Sequence, residues 1–574
     1  MPKRNRSKCD SNGVRDSKKR AKLFALGHHE TINRKIEERH KASRANARKN
    51  VLFKCCYNPS NHEYNNSTLN SSIGVMNVLC PKGCGAKHFP NEKTLRMCCG
   101  PGGHGSYEHM HPLPDFITNY LLDKEFRKSI RHYNATLQIS TIGSSLGSSG
   151  FEVRSDFPFC IRVHGSIYHS IPPVVPGTKS NPRFVQLYVI DNGMNYINRQ
   201  GLDSSKMFEI MQFLLKHNPW AQAIRQHSRK YLLYDPSVPT IGLTIKNSTR
   251  RQYESPTIDE IAVFIPNSSV RFDSYRSIQL FNANGGFSTI NEFHESYDPT
   301  HYVLMFPYGD SGYSSKYFKE KISPMQYYCQ RLQVREKLTL GHFGRLFHEY
   351  VIDQYCKMEK ARLDYIAKNQ KALRFATSQE NRMEESPPAH LNKNQGSTFV
   401  YLPASVKGSP RYFRQRYLNA ISIASKLGGA TFFITMTTNP YWPEIKNSLQ
   451  HFETAVDRPD IVARVFKIKF DMLIHDLTKN HIFGYCLSHF AVTEFQKRGL
   501  PHGHVLIIID SCDRPRTPSD VDCYVSAELP DVTKEPEYFN LVTQHMIHSC
   551  NHNCLNKEKC CSKNYPKPFL ESTE

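Results

Sequence analysis

Two histidines separated by one residue are the part of the sequence best suited to chemistry. His502 and His504 stand at the head of an apolar run, 505–509, which predicts a β-strand. Residues two apart in a strand point to the same side, so both imidazoles can reach one metal ion while Gly503 leaves room on the other face. An isolated His-x-His pattern is weak by itself, because two exposed or hydrogen-bonded histidines give the same pattern.

An oxygen ligand is available just upstream of the histidines. Glu494 and Gln496 share one face of a strand predicted at 482–496, and a short turn at 499–501 would bring one of them beside the histidine pair. Two histidines and one oxygen leave coordination positions open for a substrate phosphate. We therefore predict a divalent metal, Mg²⁺ or Mn²⁺, at this site.

The charge of the chain points to a polyanionic partner. Lys and Arg number 75 and Asp and Glu 52, a net charge of +23. Such an excess attracts nucleic acid through counterion release, although a basic protein that binds nothing specific has the same composition. We predict nucleic acid as the partner, with four residues around the histidine pair in contact with it: Lys497, Arg498, Arg411 and Asn439.

The 17 cysteines are predicted to be reduced thiols or metal ligands. The chain has neither an apolar run long enough to span a membrane nor a secretory start, so no membrane association is expected. Cys80, Cys84, Cys98 and Cys99 have zinc-ribbon proportions and predict a structural zinc site, with a set of small buried thiols as the alternative. A second, more irregular group near the C-terminus gives a weaker zinc prediction: Cys550, Cys554, Cys560 and Cys561.

The helices and strands predicted around these residues indicate a multi-domain α+β protein. A strand at 432–438, a helix at 460–478 and strands at 482–496 and 502–509 suit an antiparallel sheet covered by helices. The helix has one apolar side, formed by Val462, Phe466, Phe470, Leu473 and Leu477.

Upstream, we predict strands at 158–164, 184–190 and 260–265, a helix at 206–216, and two helices within 323–376. The apolar face of the last helical region is expected to comprise Phe343, Leu346, Phe347, Tyr350, Val351, Tyr355 and Met358.

Composition shifts suggest how the chain is divided. Residues 1–50 read as a basic disordered tail whose cluster Lys18, Lys19, Arg20 and Lys22 predicts a nuclear address or a solvated tail. The remaining predicted segments are 51–111 (Cys/His-rich), 112–315 (mixed α/β), 316–377 (helical), 378–397 (linker), 398–530 (His-x-His nuclease-like) and 531–574 (Cys/His-rich).

Several segments together resemble one family. EFQKRGLPHGHVLIIID (494–510) resembles the His–hydrophobic–His motif of the Helitron transposases, which are eukaryotic rolling-circle elements. FFITMTTNPYWPEI (432–445) resembles the family's upstream strand motif, and CPKGCGAKHF (80–89) its cysteine-rich segment. Further segments at 297–313, 344–374, 402–428, 521–531 and 559–573 are also similar, so the resemblance extends over about residues 75–574. It implies single-stranded DNA as the partner.

The resemblance implies a nuclease that nicks one DNA strand and forms a 5′-phosphotyrosine, followed by a large helicase. It implies that His502 and His504 are metal ligands, with Gln496 as the candidate third ligand and Glu494 behind it. The family's paired tyrosines are missing here, and Tyr538 is the one weak substitute. No phosphate-binding loop motif is present, so no ATP site is expected. We expect a truncated or degenerate transposon protein, or alternatively a non-catalytic DNA-binding remnant.

Overall fold

The structure of the chain is a computed structural model. It describes mainly residues 72–92, 110–139, 202–225, 295–313, 322–369, 402–496 and 499–547, with short gaps, and shorter pieces elsewhere. Several predicted features lie outside the described residues. They are the basic tail at 1–50, the linker at 378–397, most of the strand expected at 184–190, and Cys99, Lys497, Arg498 and Cys550.

The described elements alternate between helices and short strands. In chain order they are β1 Val78–Leu79, β2 Lys87–His88, α1 Asp115–Leu122, α2 Lys124–Leu137, β3 Thr141–Ser144, β4 Phe151–Arg154, β5 Cys160–Val163, β6 Ile167–Ser170, α3 Ser204–His217, β7 Thr244–Ile245, β8 Ile261–Ala262, β9 Ile278–Phe281, β10 Phe287–Ile290, α4 Tyr297–His301, α5 Pro324–Arg331, α6 Arg345–Lys368, α7 Pro410–Leu427, β11 Phe432–Thr437, α8 Pro443–Lys446, α9 Pro459–Thr478, β12 Cys486–Phe495, β13 Pro501–Ile509, α10 Pro518–Asp522 and α11 Pro536–His545.

The largest core is helical and lies upstream of the metal-site region. Helices α1, α2 and α3 pack with the segment 302–306, α5 and the first half of α6 around apolar side chains such as Ile130, Met207 and Phe347. A buried ion pair crosses this core, where Lys357 Nζ lies 2.9 Å from Asp298 Oδ1. Removing both charges from water costs free energy. Their pairing, together with the contact between the ammonium and the ring of Tyr297, offsets this cost.

The metal-site region is a three-stranded antiparallel sheet with β13 in the centre, in the order β11-β13-β12. Helix α9 covers one face of it. Phe466, Phe470 and Leu477 of α9 pack against the inward side chains of β13, Val505, Ile507 and Ile509, which are almost completely buried. Side chains alternate between the two faces of a strand, so His502, His504 and Leu506 of β13 point away from this core. Helix α9 does not cover the face of the sheet on which they lie.

Most of the predicted elements are confirmed, and the class is a mixed α+β fold with small antiparallel sheets. The predicted helices at 206–216 and 460–478 and the strands at 432–438 and 502–509 agree with α3, α9, β11 and β13 within a few residues. Of the strand expected at 260–265, the described part, Ile261–Ala262, is a strand, and the rest lies outside the described residues.

One predicted core residue is wrong. Tyr355 was expected on the apolar face of α6, but half of it is exposed, whereas Phe347, Tyr350 and Met358 are buried. Tyr355 follows Tyr350 by five residues, about 140° around the helix axis, so it points away from the side of α6 on which Tyr350, Gln354 and Lys357 are buried. Within the described residues, no helix combines the length and the apolarity required to cross a bilayer.

Candidate functional site

The hairpin of β12 and β13 places the two histidines beside a carboxylate. The turn between the strands is closed by backbone hydrogen bonds from Gln496 N–H to the Leu500 carbonyl (3.0 Å) and from Gly499 N–H to the Gln496 carbonyl (2.8 Å). Gly499 has a φ of 77°, a left-handed conformation that glycine adopts without strain. This turn sets the register in which Glu494 lies directly opposite His502.

The pairing on both sides of β13 arranges the uncovered face of the sheet in three rows. The first row is Thr437, His502 and Glu494; the second is Thr435, His504 and Val492; the third is Phe433, Leu506 and Phe490. Directly opposed residues on neighbouring strands point to the same face and lie within contact distance. The rows therefore run from a polar end, where the histidines and the carboxylate lie, to an apolar end.

The ligand atoms of Glu494, His502 and His504 lie within 4.8 Å of one another. His504 Nε2 is 3.0 Å from Glu494 Oε1, and His502 Nδ1 is 2.9 Å from the Thr437 hydroxyl oxygen. The Nδ1 atom of His504 is buried and has no hydrogen-bond partner in the part of the chain that the structure describes. Two imidazoles and one carboxylate form a donor set that suits a divalent cation, and the partial exposure of all three leaves room for further ligands.

The other side of the sheet explains the glycine between the histidines. A Cβ atom at position 503 would lie 2.3 Å from Cε2 and 2.8 Å from Cζ of Phe470 on α9. Gly503 thus allows the ring of Phe470 to rest directly on the strand between the two histidines. The prediction that Gly503 provides room on the face opposite the ligands is confirmed, and Phe470 is the residue that uses this room.

The apolar end of the uncovered face is unusually exposed for a sheet. Phe433 and Val492 are 63% and 62% exposed, and Leu506 is 37% exposed. The Phe433 ring also stacks on His504, with the two centroids 5.3 Å apart and the planes 9° from parallel. An apolar surface of this kind next to polar ligands is typical of a binding face.

A second group of candidate ligands is buried, whereas the histidines and Glu494 are partly exposed. The sulfur atoms of Cys80, Cys84 and Cys98 lie within 4.8 Å of one another, and all three residues are buried. The β1–β2 hairpin carries the first two, and the Cys80 N–H donates to the Ala86 carbonyl (2.9 Å) in the turn that separates them from β2. Three converging thiols at the turn of a hairpin are the arrangement that a structural zinc site uses.

This cysteine segment is connected to α9, the helix that supports the sheet. Arg464 of α9 donates two hydrogen bonds to the Glu92 carboxylate, from Nε to Oε1 (2.7 Å) and from Nη2 to Oε2 (2.6 Å), and a third to the Lys87 carbonyl (2.9 Å). Burial on its own raises the pKa of Glu92, but hydrogen bonds from His88 and Arg464 and the charge of Arg464 hold that pKa well below its usual range. Apolar contacts of Ile73 and Phe89 with Ile461 and Val465 complete the junction.

The structure locates the remaining predicted site residues in different places. Gln496 lies beyond Phe495, the last residue of β12 that is paired with β13, so of the two oxygen candidates Glu494 is the one in register with the histidines. Arg411 lies in the first turn of α7. The side-chain oxygen of Asn439 accepts a hydrogen bond from the Tyr441 N–H, closing a turn after β11. Tyr538 lies on α11 with 40% of its surface exposed.

The C-terminal cysteines are described only in part. Cys554 and Cys561 are buried and Cys560 is exposed. In this described portion their sulfur atoms do not form a group of three ligands like the group at Cys80. The zinc site expected there stays a prediction, since Cys550 lies outside the described residues.

With this geometry established, a comparison with protein families identifies the central segment. Residues 325–507 match the family model described as the Helitron helicase-like domain at N-terminus. This segment is therefore a Helitron-like domain. The resemblance predicted from the His-x-His segment is thereby confirmed for this range, which begins in α5 and ends within β13. No curated protein matches the chain. The cysteine group at Cys80 lies outside the Helitron-like domain, although it packs on that domain through α9.

Thr437 contacts His502, Phe433 stacks on His504 and Phe470 lies beneath Gly503. None of the three was among the predicted site residues. The sequence does indicate that Phe433 and Thr437 lie on one face of β11, because they lie an even number of positions apart in FFITMT (432–437). The pattern does not show which strand pairs with β11 or in which register. The contact of Thr437 with His502 depends on both.

Proposed function

We propose that the Helitron-like domain binds a divalent metal ion, Mg²⁺ or Mn²⁺, and single-stranded DNA, and that it acts in strand nicking or transfer. The observation that carries the proposal is the group formed by Glu494, His502 and His504 on the uncovered face of an antiparallel sheet. Oxygen and imidazole ligands suit these ions, and three protein ligands leave positions for a phosphate. When bound, such an ion would polarise the scissile phosphate and stabilise the charge that develops on it.

The protein's own residues would provide the positioning. His502 and His504 project from the central strand, where pairing on both sides holds the backbone. Glu494, on the edge strand, supplies the negative charge of the ligand set. Phe470 packs beneath Gly503 and supports the strand at the point between the two histidines. Fixed ligands of this kind lower the cost of assembling the site around a phosphate.

The uncovered face also suits unpaired nucleobases. The exposed side chains of Phe433, Val492 and Leu506 lie in the two rows next to the metal ligands, so a base attached to a bound phosphate would meet them. Stacking on aromatic side chains is how proteins bind single strands without reading their sequence. Helix α7, which contacts β12, adds Arg411, Arg414 and Arg416 to the same neighbourhood. The net charge of +23 favours a polyanion such as nucleic acid over a neutral or basic surface.

The experiment that tests the proposal is incubation of the purified chain with end-labelled single-stranded oligonucleotide and Mn²⁺, read on denaturing gels and by filter binding. The test variant is His502→Ala with His504→Ala. The matched control is His451→Ala with His475→Ala, which removes two exposed histidines away from the site. Binding and cleavage that are lost only in the test variant support the nuclease proposal. Equal cleavage in both variants contradicts it.

The second candidate is a DNA-binding protein without nuclease activity. It is favoured by the exposed side chains of Phe433, Val492 and Leu506, which suit base stacking whether or not a metal ion is bound. The weak candidate for the nucleophile is Tyr538, and the Tyr538→Phe variant tests it. A covalent protein–DNA adduct that disappears in this variant supports cleavage by Tyr538. Binding without cleavage in the unmodified chain supports the second candidate.

We also propose that Cys80, Cys84 and Cys98 hold a structural zinc ion, with Cys99 as the predicted fourth ligand. Burial of three thiols that share one small volume supports this, because thiolates bind zinc far more tightly than Mg²⁺ or Mn²⁺.

We propose in addition that the protein is nuclear, on the basis of the basic cluster at 18–22. A fluorescent fusion in which these basic residues are changed to Ala tests the address: loss of nuclear signal supports it, and unchanged signal contradicts it.

A further inference from the structure

We propose that Thr437 is a positioning residue that selects the tautomer of His502 and so turns the ring's Nε2 atom into a metal ligand. This inference rests on the proposed metal site and goes beyond it, because it assigns a role to a residue of β11 that is not itself a ligand. It is carried by one contact, the 2.9 Å separation between Thr437 Oγ1 and His502 Nδ1.

The contact has two possible directions, with opposite consequences. A hydroxyl can donate or accept, and a neutral imidazole carries its proton on one nitrogen only. If His502 Nδ1–H donates to Thr437 Oγ1, the lone pair is on Nε2 and this atom can bind a metal. If the threonine donates, Nε2 carries the proton and cannot. Metal-binding histidines commonly donate their second ring N–H to a fixed oxygen, and Thr437 supplies such an oxygen.

The backbone holds this oxygen in place. Thr437 lies directly opposite His502 at the last paired position of β11. The next residue, Thr438, is buried, and its hydroxyl donates a hydrogen bond to the Pro501 carbonyl (2.5 Å), the residue before His502. Threonine is also stiff at χ1, because it is branched at Cβ. The hydroxyl of Thr437 is therefore fixed relative to the ring it contacts.

The two histidines differ in what holds them. In His504 it is Nε2 that meets a partner, Glu494 Oε1 at 3.0 Å, while Nδ1 is buried and has no hydrogen-bond partner among the described residues. The partner of the His502 ring is instead an oxygen that is not itself a candidate ligand, and the geometry assigns Thr437 to that ring.

The test is a Mn²⁺ titration of the full chain, with free Mn²⁺ measured by electron paramagnetic resonance. Mn²⁺ is chosen because it prefers nitrogen and oxygen ligands, so the cysteine group does not compete for it. Thr437→Val removes the oxygen but keeps the shape and the branching at Cβ. Thr437→Ser keeps the oxygen. Thr435→Val is the matched control, the same change on the same face of β11, beside His504.

We expect Thr437→Val to weaken Mn²⁺ binding about tenfold, the lower end of the range for such second partners because this contact is exposed. Thr437→Ser should restore most of the affinity, and Thr435→Val should leave it unchanged. Melting curves of all three variants should coincide with that of the unmodified chain, which separates ligand positioning from a loss of folding.

The outcomes also separate this inference from the proposed function. If Mn²⁺ binds the unmodified chain and is lost in the His502→Ala, His504→Ala variant, the site exists. Equal affinity of Thr437→Val and the unmodified chain, or equal losses in the Val and Ser variants, then overturns the role of Thr437 alone. If Mn²⁺ binding does not depend on the two histidines, the proposed metal site itself is wrong.

Discussion

The two groups of candidate metal ligands in this chain differ in chemistry and in burial. Cys80, Cys84 and Cys98 are buried thiols at the turn of a small hairpin, whereas the histidines and Glu494 lie on the uncovered face of a sheet. A closed thiolate site stabilises the fold around it, while an accessible nitrogen and oxygen site keeps positions for a substrate. On this difference we base the proposal that the first group supports the fold and the second carries the chemistry.

The largest expected effect comes from the buried group. Cys80→Ser with Cys84→Ser should remove stoichiometric zinc and lower the melting temperature by many degrees, because zinc binding contributes directly to the folding free energy of such segments. Zinc content by mass spectrometry and melting by circular dichroism are the measurements. The control is Cys356→Ser with Cys512→Ser, which changes two cysteines outside the group. Unchanged zinc in the first variant would contradict the assignment.

A smaller effect is expected beneath the histidines. Gly503→Ala should destabilise the domain by about 1–3 kcal/mol, because its Cβ would overlap the Phe470 ring and force it or the strand to move. Chemical denaturation measures the change. The double variant Gly503→Ala with Phe470→Leu provides the control, since a smaller side chain below the strand should make the two changes less than additive. Full additivity would show that the two residues do not interact.

The smallest expected effect concerns the junction between the two regions. The folded pKa of Glu92 is held below the unfolded value of about 4.3, so its stabilising contribution is present at neutral pH and is lost as the pH falls through the folded pKa. The melting temperature of the unmodified chain should therefore fall more steeply below about pH 4 than that of Glu92→Gln. Glu537→Gln, at an exposed position on α11, serves as control. If the melting temperatures of Glu92→Gln and of the unmodified chain fall in parallel as the pH is lowered, the loss of stability in acid does not arise from Glu92.

How much could be predicted from the sequence depends on whether a feature is local. Helix α9 and strand β13 follow from their own apolar periodicity, and the two histidines follow from the alternation of a strand. The choice between Glu494 and Gln496 does not follow, since both lie on one face of β12 and a shift of the register by two residues would exchange which of them lies opposite His502. In the structure it is Glu494 that is paired with His502.

Contacts between segments far apart in the chain could not be predicted from the periodicity or the motifs of the sequence. Arg464 meets Glu92 across more than 370 residues, and Thr437 meets His502 across 65. Neither pair has a periodicity or a motif that links its members, because each contact arises from the packing of whole elements. The cysteine segment could be predicted as a metal site from its spacing, but its attachment to the helix beneath the histidines could not.

The most direct test of the central claim is Mn²⁺ binding measured for the unmodified chain, for His502→Ala with His504→Ala, and for His451→Ala with His475→Ala. We predict one site in the unmodified chain and in the second variant, and loss of that site in the first, because two of its three protein ligands are gone. Equal Mn²⁺ binding by all three proteins would contradict the assignment of Glu494, His502 and His504 as a metal site.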